Sequence, residues 1–114
     1  MKLKNFVLAF IFLSFAAVIN TQAQFENITG SVSGRVMSIG GRSIRRATVS
    51  VINLTTLETQ TRVTNDFGYF KFNNLPILDL YLVTVSSKSH FFTHSNQLVQ
   101  FMGTEYNTLF TSDD

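Results

Sequence analysis

Beyond residue 24 the chain alternates apolar and polar positions in short runs, and turn-forming residues separate the runs. Successive side chains of a strand point to opposite faces, so this period of two predicts strands rather than helices. Residues 31–37 place Val32, Gly34 and Val36 on one face, and the paired glycines of Ser38-Ile39-Gly40-Gly41-Arg42-Ser43 break the run into a loop. Ala47, Val49 and Val51 form the inner face of the next strand, with Thr48 and Ser50 outward. Residues 53–57 turn, and residues 58–64 return with Val63 expected in the core. Thr64-Asn65-Asp66-Phe67-Gly68-Tyr69-Phe70-Lys71-Phe72 is the sharpest local feature. Asn65 and Asp66 bring side chains that bond nearby backbone, Gly68 accepts a positive φ, and Phe70 and Phe72 then share a strand face. Leu75-Pro76 closes that strand, because proline donates nothing to a central ladder. Residues 80–86 are apolar on both faces (Tyr81, Val83, Val85 against Leu82), which predicts a central strand. Weaker patterns predict strands at Phe91-Phe92, at 98–102 and at 106–110, and residues 111–114 read as a frayed polar tail. Short strands at this spacing predict an all-β fold, an antiparallel sandwich of seven strands. Its expected core is Val36, Val49, Val51, Val63, Phe70, Phe72, Leu75, Tyr81, Val83 and Val85.

The first residues follow a different pattern. Met1-Lys2-Leu3-Lys4-Asn5 is basic, residues 6–19 are apolar apart from Ser14, and Thr21 and Ala23 are the small residues that a signal peptidase reads. The pattern predicts a secretory signal peptide over residues 1–23, cleaved after Ala23, and a single domain over 24–114. The apolar run is shorter than the ~20 residues of a spanning helix, so no membrane attachment is expected after cleavage. With Lys2 and Lys4 removed, seven basic and seven acidic side chains remain. A neutral domain has no overall field to draw in nucleic acid or an anionic membrane. The chain has no cysteine. That rules out a lipid-modified cysteine, leaves the core without disulfide staples, and suits a bacterial periplasm or exterior. The triplets Asn27-Ile28-Thr29 and Asn53-Leu54-Thr55 fit the glycosylation pattern, which has meaning only in a eukaryotic secretory route.

Taken in order, Gly34-Arg35-Val36, Gly41, Ile44, Ala47-Thr48-Val49-Ser50-Val51, the run from Thr64 to Phe72, Leu75-Pro76 and Tyr81-Leu82-Val83-Thr84-Val85 resemble the carboxypeptidase regulatory-like domain family. The resemblance covers about residues 32–92. It implies a transthyretin-like, prealbumin-type β-sandwich, grouped with carbohydrate-binding-like folds. Such domains are accessories on larger secreted enzymes or outer-membrane receptors. Ser43 stands where the family usually has proline, Arg46 where it has glycine, and Asn65 where aspartate is commoner. The segment Leu75-Pro76-Ile77-Leu78-Asp79-Leu80-Tyr81 is one residue longer than the family's and lacks its glycine, and His90-Phe91 replaces a glycine–aromatic pair. All these departures fall in turns, so they bear on loop shape. The zinc peptidase behind the family's name needs a His-x-x-Glu pair and a distant histidine in a separate domain, whereas the histidines here are His90 and His94 alone. Hydrolysis of 5-hydroxyisourate by transthyretin-like folds goes with a Tyr-Arg-Gly-Ser tail, and this chain reads Phe110-Thr111-Ser112-Asp113-Asp114.

The residues themselves offer little chemistry. On one strand His90 and His94 would sit roughly 13 Å apart, too far to share an ion, and they read as exposed polar side chains. Asn65 and Asp66 read as a turn rather than a calcium site. No phosphate loop or nucleotide fingerprint occurs, so no cofactor and no metal is expected. Arg42, Arg45 and Arg46 cluster in one loop, and guanidinium forks suit carboxylates and phosphates. Phe67, Tyr69, Phe91 and Phe92 are the aromatics that would stack on sugars if exposed. These seven residues are the candidate binding surface. The expectation is a secreted or periplasmic, non-catalytic interaction or support module whose partner is a protein. The alternatives are carbohydrate binding, self-association through an edge strand and, last, a hydrolase built on His90 or His94 beside a carboxylate.

Overall fold

The computed structural model describes residues 28–114, and the signal-peptide expectation lies outside them. Seven strands follow one another: β1 (Thr29–Met37), β2 (Thr48–Asn53), β3 (Thr59–Val63), β4 (Tyr69–Pro76), β5 (Leu80–Ser86), β6 (Asn96–Gln100) and β7 (Glu105–Thr111). They form two sheets, β4-β1-β7 and β3-β2-β5-β6. Four pairings are antiparallel, and β1 with β7 is parallel, running from Ser31 opposite Glu105 to Met37 opposite Thr111. A parallel pair needs a long crossover. Here the whole stretch from β2 to β6 supplies it, so alternation within β1 or β7 carried no trace of the orientation.

Both sheets turn apolar faces inward. Val32, Val36, Phe70, Phe72, Leu75 and Phe110 meet Val49, Val51, Tyr81, Val83, Val85 and Val99, all buried. Gly34 lies between Phe70 on β4 and Thr108 on β7. Its missing side chain leaves room for the Phe70 ring, which crosses β1 and comes within 6.2 Å of the Phe110 ring. A Cβ at Gly34 would stand 2.6 Å from Cζ of Phe70. The turn before β4 has the expected chemistry. Asn65 Oδ1 accepts from the amides of Phe67 (3.0 Å) and Tyr69 (2.9 Å), and Gly68 has φ 81°.

Three expectations need correction. Val63 is 59% exposed. The register sets Arg62 opposite Val49 and Gln60 opposite Val51, so the polar face of β3 turns inward and Val63 turns out beside Thr48. Arg62 then lies over the Phe72 ring at 5.6 Å, its stem and charge closing the core at that edge. Phe91 and Phe92 are in the loop between β5 and β6 rather than on a strand, and β6 begins earlier, at Asn96. The tail is tied down rather than frayed. Ser112 is 1% exposed and its amide donates to Met37 O (2.9 Å), and the Asp113 amide donates to Phe91 O (2.8 Å). Asp113 Oδ2 also accepts from the Thr93 amide (3.1 Å) and from the Thr93 hydroxyl.

Candidate functional site

Six of the seven candidate residues stay exposed, and all seven lie at one end of the sandwich. That end is made by the β1–β2 loop, the β3–β4 turn, the β5–β6 loop and the tail after β7. Phe92 is the exception in exposure. It is 8% exposed and belongs to the core, because its loop folds back beneath the sheets once the tail straps it. It is removed from any binding surface.

The remaining six do not form one site. Tyr69 lies beside a hollow of about 520 Å³ on the outer face of the three-stranded sheet, together with Ser33, Arg35, Lys71 and Asn107. Arg35 covers the Tyr69 ring at 4.8 Å, so that ring face is occupied. Arg35 also donates Nε to Phe67 O (2.9 Å) and Nη2 to Ser43 Oγ (2.8 Å). It thereby fastens the β3–β4 turn to the β1–β2 loop. Nothing in the pattern around Arg35 announces this role, which depends on its standing directly opposite Tyr69 in the β1–β4 register. Phe67 and Phe91 expose their rings (66% and 68%) from separate loops.

Arg42 lines a second hollow, of about 360 Å³, with Ser38, Ser43, His90 and Asp114. His90 is therefore not a freely exposed histidine. Its Nδ1 lies 3.5 Å from Asp114 Oδ1, and its side chain is 29% exposed. The Phe91 amide donates to Asp114 Oδ1 (3.1 Å). That bond, more than the neighbouring His90, holds the Asp114 carboxyl below the usual carboxylate range. A serine nucleophile needs its hydroxyl bonded to the base. Ser38 Oγ instead accepts from the Arg42 amide (3.1 Å) and Ser43 Oγ from Arg35. His94 is exposed. Among the described residues no three His, Cys, Asp or Glu side chains converge as metal ligands.

Arg45 and Arg46 lie in a third hollow, where Lys88 joins them from the β5–β6 loop. The loop that carries the arginines is held by Thr64, 3% exposed. Thr64 Oγ1 donates to Ile44 O (2.7 Å) and accepts from the Ala47 amide (2.9 Å), and Thr64 O accepts from the Arg46 amide (3.1 Å).

The chain superposes on parts of much longer proteins. It matches the major pilin subunit of Bacillus cereus with a TM-score of 0.62 at 11% identity, covering 75% of this chain and 30% of that one. The full-length major pilin SpaD of Corynebacterium diphtheriae gives 0.61 at 14% identity, covering 76% and 30%. The Bacillus anthracis TIE protein gives 0.56 at 19% identity, covering 73% and 16%. The chain thus spans about a third or less of these proteins, and at such identities the likeness is one of fold. A comparison with curated protein sequences returns no match. The model of the carboxypeptidase regulatory-like domain matches residues 31–102, from near the start of β1 to just past β6. With that span in register with the sandwich, the chain belongs to the carboxypeptidase regulatory-like domain family.

Proposed function

We propose that this chain is an exported, non-catalytic β-sandwich module that binds a protein partner or supports a surface assembly. The observation that carries this reading is the construction of the loop end. Arg35, Thr64 and the tail hold its backbone by hydrogen bonds, while Arg42, Arg45, Arg46, Phe67 and Phe91 stay exposed. A rigid frame with presented side chains spends little ordering entropy on contact. The fold shared with pilin subunits supports a structural setting. Export would follow from the leader, and N-terminal sequencing of the secreted chain should begin at Gln24.

The test is affinity capture from the native envelope and medium, beside a polysaccharide panel. A specific protein should be retained, and Phe67→Ala with Phe91→Ala should release it while circular dichroism stays unchanged. Retention on a glycan with no protein partner would replace this reading with carbohydrate binding. The pairing of His90 with Asp114 beside two serines makes a hydrolase the competing class. Any ester or amide hydrolysis abolished by His90→Ala would establish it. Self-association through an edge would use β3 or β4, because Gln97 on β6 already donates to Leu109 O (3.1 Å) on the outer edge of β7.

A further inference from the structure

We propose that the cleft between the β1–β2 loop and the start of the β5–β6 loop binds a phosphate-type oxyanion. The cleft has a volume of about 500 Å³, within the range of ligand sites. Every charged residue that lines it is basic: Arg45, Arg46 and Lys88. Thr48, Ser86, Ser87 and Ser89, each with a hydroxyl, complete its lining. Among the described residues the single ion pair is His90 with Asp114, so none of these three cations is paired with a carboxylate. Like charges gathered in one cleft repel, and an anion between them removes that cost.

The cleft is also built in advance. Thr48 and Ser86 are cross-strand partners at the ends of β2 and β5. Buried Thr64 grips the arginine loop from both sides, at Ile44 O and at the amides of Arg46 and Ala47. The Ser89 amide donates to Ser87 Oγ (3.2 Å), fixing the turn that presents Lys88. Arg46 has φ 57°, the left-handed region that glycine enters freely and other residues enter at a cost. A charged side chain stands where glycine would fold more easily, and its residue lines the cleft.

The donor count selects the anion. Two guanidiniums offer five N–H groups each, the ammonium three, and the hydroxyls one apiece. A carboxylate has two oxygens to receive them. A phosphate, free or carried on a polymer, has three or four, and more charge. The proposal rests on reading the loop end as a contact surface, but its test involves no partner protein, so the two can fail separately.

The exported chain would be titrated with inorganic phosphate, then with polyphosphate and with poly-glutamate, and followed by amide NMR. Saturable shifts should appear at Arg45, Arg46, Lys88 and residues 86–89. Lys88→Ala and Arg46→Gly should each weaken binding about tenfold, the loss of one charge-assisted contact. Arg46→Gly should melt at the same temperature or higher, since it relieves the left-handed backbone, and this separates lost binding from lost folding. Polyphosphate binding tighter than phosphate assigns a polymer as the source, and equal affinity assigns the free ion. No saturable shift with either, unchanged affinity in both variants, or stronger binding of poly-glutamate at equal charge would each overturn the proposal.

Discussion

Tyr81 shows how one side chain serves both core and loop. Its ring packs edge-on against Phe101 at 5.8 Å, and its hydroxyl donates to Pro76 O at 2.6 Å. Burial first, then the charges of Asp79 and Glu58, push its pKa up to about 12. A folded-state pKa above the ordinary value near 10 means that this contribution to stability is complete below pH 10 and is lost between about 10 and 12. Tyr81→Phe should cost about 1 kcal/mol at neutral pH and flatten that alkaline loss, both read by denaturant unfolding across pH. Gly34→Ala drives a methyl into the Phe70 ring and the Thr108 carbonyl. Overpacking there should cost about 2 kcal/mol, lowering Tm by roughly 10 °C in a calorimetric scan. At this scale the sequence was readable where the physics is local. Asn65 and Gly68 announce their turn because the bonds they make span two to four residues. Val63 misled because its face depends on a pairing register with β2, which no property of β3 alone sets.

Among elements, strands with strict alternation were legible and the irregular segments were not. β2 and β5 declare their buried faces through Val49, Val51, Tyr81, Val83 and Val85. Phe92 and Phe101 reach the core from just outside the strands, where the pattern is weak, so composition alone could not sort them from Phe67 and Phe91. The tail is polar and reads as loose, yet it straps the β5–β6 loop through contacts twenty or more residues away in sequence. Asp113→Ala removes the acceptor for the Thr93 amide and hydroxyl. The loss should be about 1 kcal/mol, with faster hydrogen exchange at Thr93 than at core amides such as Val83. Asp114, with its carboxyl held low by the Phe91 amide, contributes above the ordinary carboxylate range and stops contributing as pH falls through its lowered value. The Phe91 amide resonance should therefore move at acid pH, and Asp114→Asn should abolish that step.

For the whole molecule, the charges are unevenly divided between the two ends. Glu58, Asp79 and Glu105 sit at the end where β1 begins, whose loops hold no lysine or arginine, while Arg42, Arg45, Arg46 and Lys88 sit at the other together with Asp66, Asp113 and Asp114. The arginine cluster was visible in sequence as three close positions. Its extension by Lys88 was not, because only the docking of two loops from different hairpins brings that lysine in. The parallel pairing of β1 with β7 has a mechanical meaning. β1 enters at the acidic end and β7 leaves at the opposite one, side by side over seven register positions. A pull applied to Thr29 and Thr111 runs along both strands in opposite senses. It loads the evenly spaced hydrogen bonds between them together, in shear, instead of peeling them one at a time. A domain threaded this way resists being drawn out lengthwise, as a link in a chain under tension must.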